Sequence, residues 1–108
     1  MVTYADRAFD ALGDPTRRAV FKRLRAGARS VGEIAKGMDV SRPAVSQHLR
    51  VLKDARLVTD RAEGTRRLYA VDTTGLDEVR KWLDGFWDET LAAFKTAAER
   101  EAARERTR

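Results

Sequence analysis

Apolar residues recur along the chain at two spacings, and the change of spacing divides it into helices and a hairpin. Over residues 4–12, Ala5, Ala8, Phe9 and Leu12 share one helical face before Gly13 ends the run. Asp14 and Pro15 restart a helix, because Asp is a good N-cap and Pro suits the first helical position. This second helix is expected to run to about Ala26, with Val20, Phe21 and Leu24 inward, and to stop at Gly27. Ser30 and Glu33 make a capping box. It opens a short third helix with Val31, Ile34, Ala35 and Met38 as its buried stripe, broken by Gly37 and Asp39. Ser41 caps a fourth helix, with Val40 and Val45 placed as a hydrophobic staple and Val45, Leu49 and Leu52 at i, i+4, i+7. After Arg56 the pattern shortens. Residues 57–61 and 67–71 read as strands joined through Glu63-Gly64-Thr65. Thr74, with Asp77 three residues later, is expected to cap a last long helix. Its apolar positions include Leu76, Val79, Leu83, Phe86, Leu91, Phe94 and Ala98, and it is expected to fray after about Ala103.

The predicted order is α-α-α-α-β-β-α: mainly helical, with a β-hairpin wing. Two short helices around a tight turn, at about 30–56, carry the helix-turn-helix signature. The wing covers about 57–72, and extra helices at about 3–13 and 75–103 flank it. All 108 residues form one domain. Its private core is thin, with 17 Ala against 19 Val, Ile and Leu together. A core shared with a second copy is the physical remedy for so small a chain.

Composition removes several function classes. The chain has no Cys, which excludes disulfides, thiolate metal sites and cysteine nucleophiles. His48 is the sole histidine, so no nucleophile, base and orienting group can be assembled, and no enzyme is expected. No cofactor and no metal site are expected either. Asp84 and Asp88 are paired at i, i+4, but among other charges they read as a solvated face. Charged residues interrupt every apolar run, so neither a signal peptide nor a membrane span is expected, and the chain reads as a cytoplasmic, nucleoid-associated protein.

Charge is concentrated in the middle of the chain. Residues 14–67 carry 14 basic and six acidic side chains, whereas both flanks are slightly negative and the whole chain is +5. A local positive field of that kind suits a polyanion, although a solvated Arg-rich face has the same composition. With Val45, Leu49 and Leu52 inward, the other face of the fourth helix holds Arg42, Pro43, Ser46, Gln47 and Arg50, with Lys53 at its far end. A major groove admits one helix and is read mainly by its N-terminal part. Gln47 can pair with adenine, and Arg42 and Arg50 can reach guanine or phosphate. Ser41 and Ser46 are short donors suited to phosphate. His48 sits between the core and this face. Arg61, Arg66 and Arg67 make the hairpin tip basic, for minor groove or backbone, or else as a solubilising edge. Arg17, with Arg18 and Lys22, is a further candidate for phosphate. Double-stranded DNA is thus the expected partner. Two other readings fit the same residues: a non-specific architectural DNA-binding protein, or a protein-interaction module using the aromatic last helix.

The segments FDALGDPTRRAVFKRL (9–24), SVGEIAKGMDVSRPAVSQHLRVLKDARLV (30–58) and DRAEGTRRLYAVD (60–72) resemble the opening helices, helix-turn-helix and wing of the ArsR/SmtB family of bacterial transcriptional repressors. The resemblance covers about residues 4–98. It implies a homodimer built from the first and last helices, here Ala5, Phe9, Leu12, Leu76, Val79, Leu83, Phe86, Trp87, Leu91 and Phe94. The metal-sensing members carry thiolates where this chain has Glu33-Ile34-Ala35-Lys36-Gly37, or Asp and His on a last helix that here has no His. Acidic residues alone, such as Asp77, Asp84, Asp88 and Glu89, would make a weak, hydrated site. The resemblance is therefore to the metal-independent subgroup, often autorepressors, and it implies a dimeric repressor on an inverted-repeat operator. A small-molecule effector between the dimerisation helices is compatible with it.

Overall fold

In a computed structural model, which describes residues 1–107, five helices and one short hairpin follow one another in the expected order. They are α1 (Tyr4–Leu12), α2 (Pro15–Lys22), α3 (Val31–Ala35), α4 (Arg42–Asp54), β1 (Val58–Glu63), β2 (Arg66–Val71) and α5 (Thr73–Arg106). Side chains fix the helix starts. Asp14 accepts from the amides of Thr16 and Arg17, Ser41 accepts from Ala44, and Ser30 and Glu33 form a reciprocal capping box. Thr3 and Asp6 form a second box that opens α1.

Several boundaries differ from the sequence reading. α2 ends at Lys22 rather than Ala26. The next residues continue in tighter i→i−3 hydrogen bonds, such as Leu24 to Phe21 and Gly27 to Leu24, which still carry Leu24 into the core. β1 reaches Glu63 and β2 begins at Arg66, leaving a two-residue turn with Gly64 at φ +62°. α5 is capped by Asp72, whose carboxylate accepts from the Thr74 amide, so Thr74 lies inside the helix. Its last turns do not fray before Arg106: alanines and the Arg104–Glu101 pair suit a helix there.

The core is one cluster centred on Val20, Leu24, Ile34, Val45, Leu49, Leu52, Leu57 and Val58, all essentially inaccessible to solvent. α1 presents alanines to it. Ala5, Ala8 and Ala11 are buried, whereas Phe9 turns to the edge at 38% exposure. α4 ends in a Schellman arrangement: the Leu57 amide donates to the Leu52 carbonyl and the Arg56 amide to the Lys53 carbonyl. The left-handed position that Gly usually fills is Arg56, at φ 59°. Its guanidinium lies 4.1 Å from the ring centroid of Tyr4 on α1. Arg29 bridges antiparallel to Tyr69, adding a third short edge to the hairpin through paired 2.9 and 2.8 Å hydrogen bonds.

α5 has 34 residues, about 51 Å at 1.5 Å per residue, and it dominates the 75 Å long axis of the molecule. Leu76 and Val79 pack on the core. Beyond them Trp82, Leu83, Phe86, Trp87, Leu91 and Phe94 are each about half exposed or more.

Candidate nucleic-acid interface

The fully buried stripe of Val45, Leu49 and Leu52 fixes how α4 is rotated. Arg42, Pro43, Ser46, Gln47 and Arg50 therefore face solvent, and His48 is half-buried at the margin. The Ser41 hydroxyl oxygen accepts from the Ala44 amide, and its proton is left to donate outward. Arg42 lies back over α3: a Cβ on Gly32 would come within 3.1 Å of its Nη2. Gln47 and Arg50 hold no side-chain hydrogen bond or ion pair with any described residue.

The wing cations are held differently. Arg66 pairs with Glu33 of α3, the residue that also closes the capping box. Arg67 binds Asp60 Oδ2 at 2.9 Å, and Lys53 of α4 binds Asp60 Oδ1 at 2.7 Å. The Asp60 side chain is only 10% exposed. The Lys53 hydrogen bond, then that of Arg67, holds its carboxyl below its ordinary range. Arg61 is loosely set beside Glu63 at 3.5 Å, both well exposed. Glu33 is also lowered, first by the amide and hydroxyl of Ser30 and only then by the charge of Arg66.

Arg17, the further candidate for phosphate, is tied to the protein's own backbone through one of its nitrogens. It is half-buried, and its Nε donates to the Ala11 carbonyl at 2.6 Å. Arg18 does the same for Leu12 through Nη1. Both satisfy carbonyls at the end of α1 that have no partner within that helix. Lys22 instead lines an open basic cleft with Arg23, Arg25 and Arg29.

Among the residues expected at a dimer interface, the structure separates two sets. Ala5, Leu12, Leu76 and Val79 are buried or half-buried within one chain. Phe9, Leu83, Phe86, Trp87, Leu91 and Phe94 remain exposed on α1 and α5. Trp82, which the pattern did not single out, joins them. It meets Phe9 edge-on at 5.2 Å and stacks on Phe86 at 5.7 Å.

Asp60 was also missed, although β1 carries a signal for it. Strand alternation puts Asp60 on the same face as buried Val58, and an inward carboxylate requires partners. Among the described residues, no group of three or more His, Asp or Glu side chains could hold a metal ion. No described helix is long and apolar enough to cross a membrane.

A helix-turn-helix domain family model matches residues 12–61. The HTH-type transcriptional regulator Rv2034 of Mycobacterium tuberculosis is 56% identical over 96 residues, which cover 87% of this chain and 90% of the relative. The transcriptional repressor SdpR of Bacillus subtilis is 35% identical over 81 residues, 75% of this chain and 90% of the relative. Among solved structures, the homodimeric winged helix-turn-helix DNA-binding domain of a possible ArsR-family regulator from Mycobacterium bovis superposes with a TM-score of 0.63. It is 31% identical and covers 82% of each chain. With this order of elements, this wing and these relatives, the chain belongs to the ArsR/SmtB family of winged helix-turn-helix transcriptional regulators.

Proposed function

We propose that the protein is a homodimeric, sequence-specific DNA-binding repressor that recognises an inverted repeat, including one upstream of its own gene. The observation that carries this reading is the solvent face of α4. Gln47 and Arg50 stand there without internal partners, on a helix whose rotation three fully buried side chains fix. Gln47 and Arg50 read base edges, Arg42 and Ser46 flank them, and Ser41 with the helix start meets phosphate. His48 packs at the margin, Pro43 shapes the first turn, and Arg61 reaches the flanking backbone from the wing.

A second copy supplies the missing half of the core. Six large apolar residues on one 34-residue helix are costly to leave in water, and covering them removes that cost. The names of the relatives agree, since one is called a repressor and another structure a homodimeric DNA-binding domain. The chain's own residues support metal-independence: there is no Cys, and α5 has no His. Relief of repression then falls to a small-molecule effector or to dilution of the dimer.

Footprinting on the DNA upstream of the gene tests the reading. Two protected half-sites, centred about 10 base pairs or a multiple apart, are expected from two α4 helices on one dimer. Protection spread evenly along the fragment would favour an architectural protein instead.

A further inference from the structure

Every cation of the wing faces a carboxylate, and one of these carboxylates also holds a lysine of α4. Asp60 spends Oδ1 on Lys53 and Oδ2 on Arg67, at 2.7 and 2.9 Å. It thereby joins the last turn of α4, β1 and β2 at one point. The acid is nearly enclosed at 10% exposure, whereas the two cations keep 54% and 55%. A phosphate that approached either cation would have to share it with a carboxylate already in place, and drawing the cation away would leave that oxygen in a pocket with little water.

We propose that Asp60 is a specificity-determining positioning residue, which withholds Lys53 and Arg67 from DNA phosphate and fixes the wing to the end of α4. Affinity for arbitrary duplex comes from phosphate contacts, whereas preference comes from base edges. Holding two cations on one carboxylate, which offsets one of their two charges, lowers the first without touching Gln47 or Arg50. It also holds Arg61 at a set distance from α4, because Arg61 follows Asp60 on β1. Glu33 does a related job for Arg66 on the other strand. The middle segment is strongly cationic by count, yet its wing is largely paired within the protein.

The inference rests on the reading of this face as a DNA interface. The test compares the wild-type chain with Asp60→Asn, Asp60→Glu and Lys53→Gln. Each binds the upstream fragment and a scrambled fragment from about 50 to about 300 mM salt, a range over which phosphate contacts weaken steeply. Folding of each variant is checked by its helical spectrum and melting temperature. Asp60→Asn is expected to bind scrambled DNA several-fold more tightly and to lose preference for the upstream fragment. Its salt slope should steepen by about 1 to 2, since each phosphate contact adds about 0.9. Asp60→Glu should restore much of the preference. In Lys53→Gln the slope should match wild type, because that lysine is already occupied, and this arm stands even where Asp60→Asn does not fold. A Lys53→Gln slope shallower by about 1, or a folded Asp60→Asn with wild-type slope and preference, overturns this inference alone. Wild-type protein that binds neither fragment at any salt overturns the DNA reading, and this inference with it.

Discussion

The carbonyl oxygen of Arg56 accepts a 2.7 Å hydrogen bond from the amide of Gly75, tying the end of α4 to the first turn of α5. A Cβ at position 75 would come within 2.6 Å of that oxygen and 2.7 Å of the Ala55 carbonyl. Backbone lies on both sides, so neither can swing away. Gly75 is therefore required by close approach, and it sets where α5 leaves the helix-turn-helix and wing.

Gly75→Ala should consequently destabilise the fold by about 1–3 kcal/mol, the usual cost of overpacking. Gly85, further along the same helix, has open space around it within one chain. Gly85→Ala should instead stabilise by up to about 1 kcal/mol through helix propensity. Urea midpoints measure both. A loss at Gly85 would mean that the second copy's backbone packs against it, and a neutral Gly75→Ala would contradict the junction.

The exposed aromatic row predicts the assembly. Phe86, 58% exposed and stacked on Trp82, lies in the middle of it. Phe86→Asp would put a charge into the shared core and should leave a folded monomer at micromolar concentration. Sedimentation is the readout, and an unchanged dimer would move the interface elsewhere.

Local rules and long-range packing were not equally legible in the sequence. The caps at Asp14, Ser30 and Ser41, the order of elements and the inward stripe of α4 depend on neighbours within four residues, and they could be read directly. What escaped depends on distant partners. Thr74 looked like a cap because Asp77 follows it, but Asp72 takes the position, where the Gly75–Arg56 contact anchors the helix start. Arg56 in the left-handed region carries no sequence mark, since Gly or Asn is the usual sign. Arg66 and Glu33 are 33 positions apart, and Arg29 meets Tyr69 only once the hairpin has folded. The α4 face was therefore visible early, whereas the pairing of the wing cations was not.

Acid should unfold the protein in a definite window. Asp6, Asp14, Glu33 and Asp60 all have carboxyl pKa values lowered by folding. For Asp6 the first cause is the Thr3 amide, for Asp14 the Arg17 amide, for Glu33 the Ser30 amide, and for Asp60 the Lys53 side chain. The unfolded chain binds protons first as pH falls, so this stabilisation is complete above about pH 5 and is lost progressively below about pH 4. Urea midpoints should be flat from pH 7 to 5 and then drop. A midpoint that holds steady to pH 3 would contradict these bonds.

Comparing two DNA fragments separates a base-reading Arg50 from a phosphate contact. Arg50→Ala should cost about 1–3 kcal/mol on the operator and much less on scrambled DNA. Equal losses on both would assign it to the backbone.

The central claim is that two copies of this chain select one DNA sequence. The direct measurement is an equilibrium titration of wild-type protein against its own upstream DNA and a scrambled fragment of equal length, across a salt series with stoichiometry determined. Preference for the upstream DNA that persists at physiological salt, at two protomers per site, is the predicted result. Equal binding to both fragments, lost together as salt rises, would contradict it.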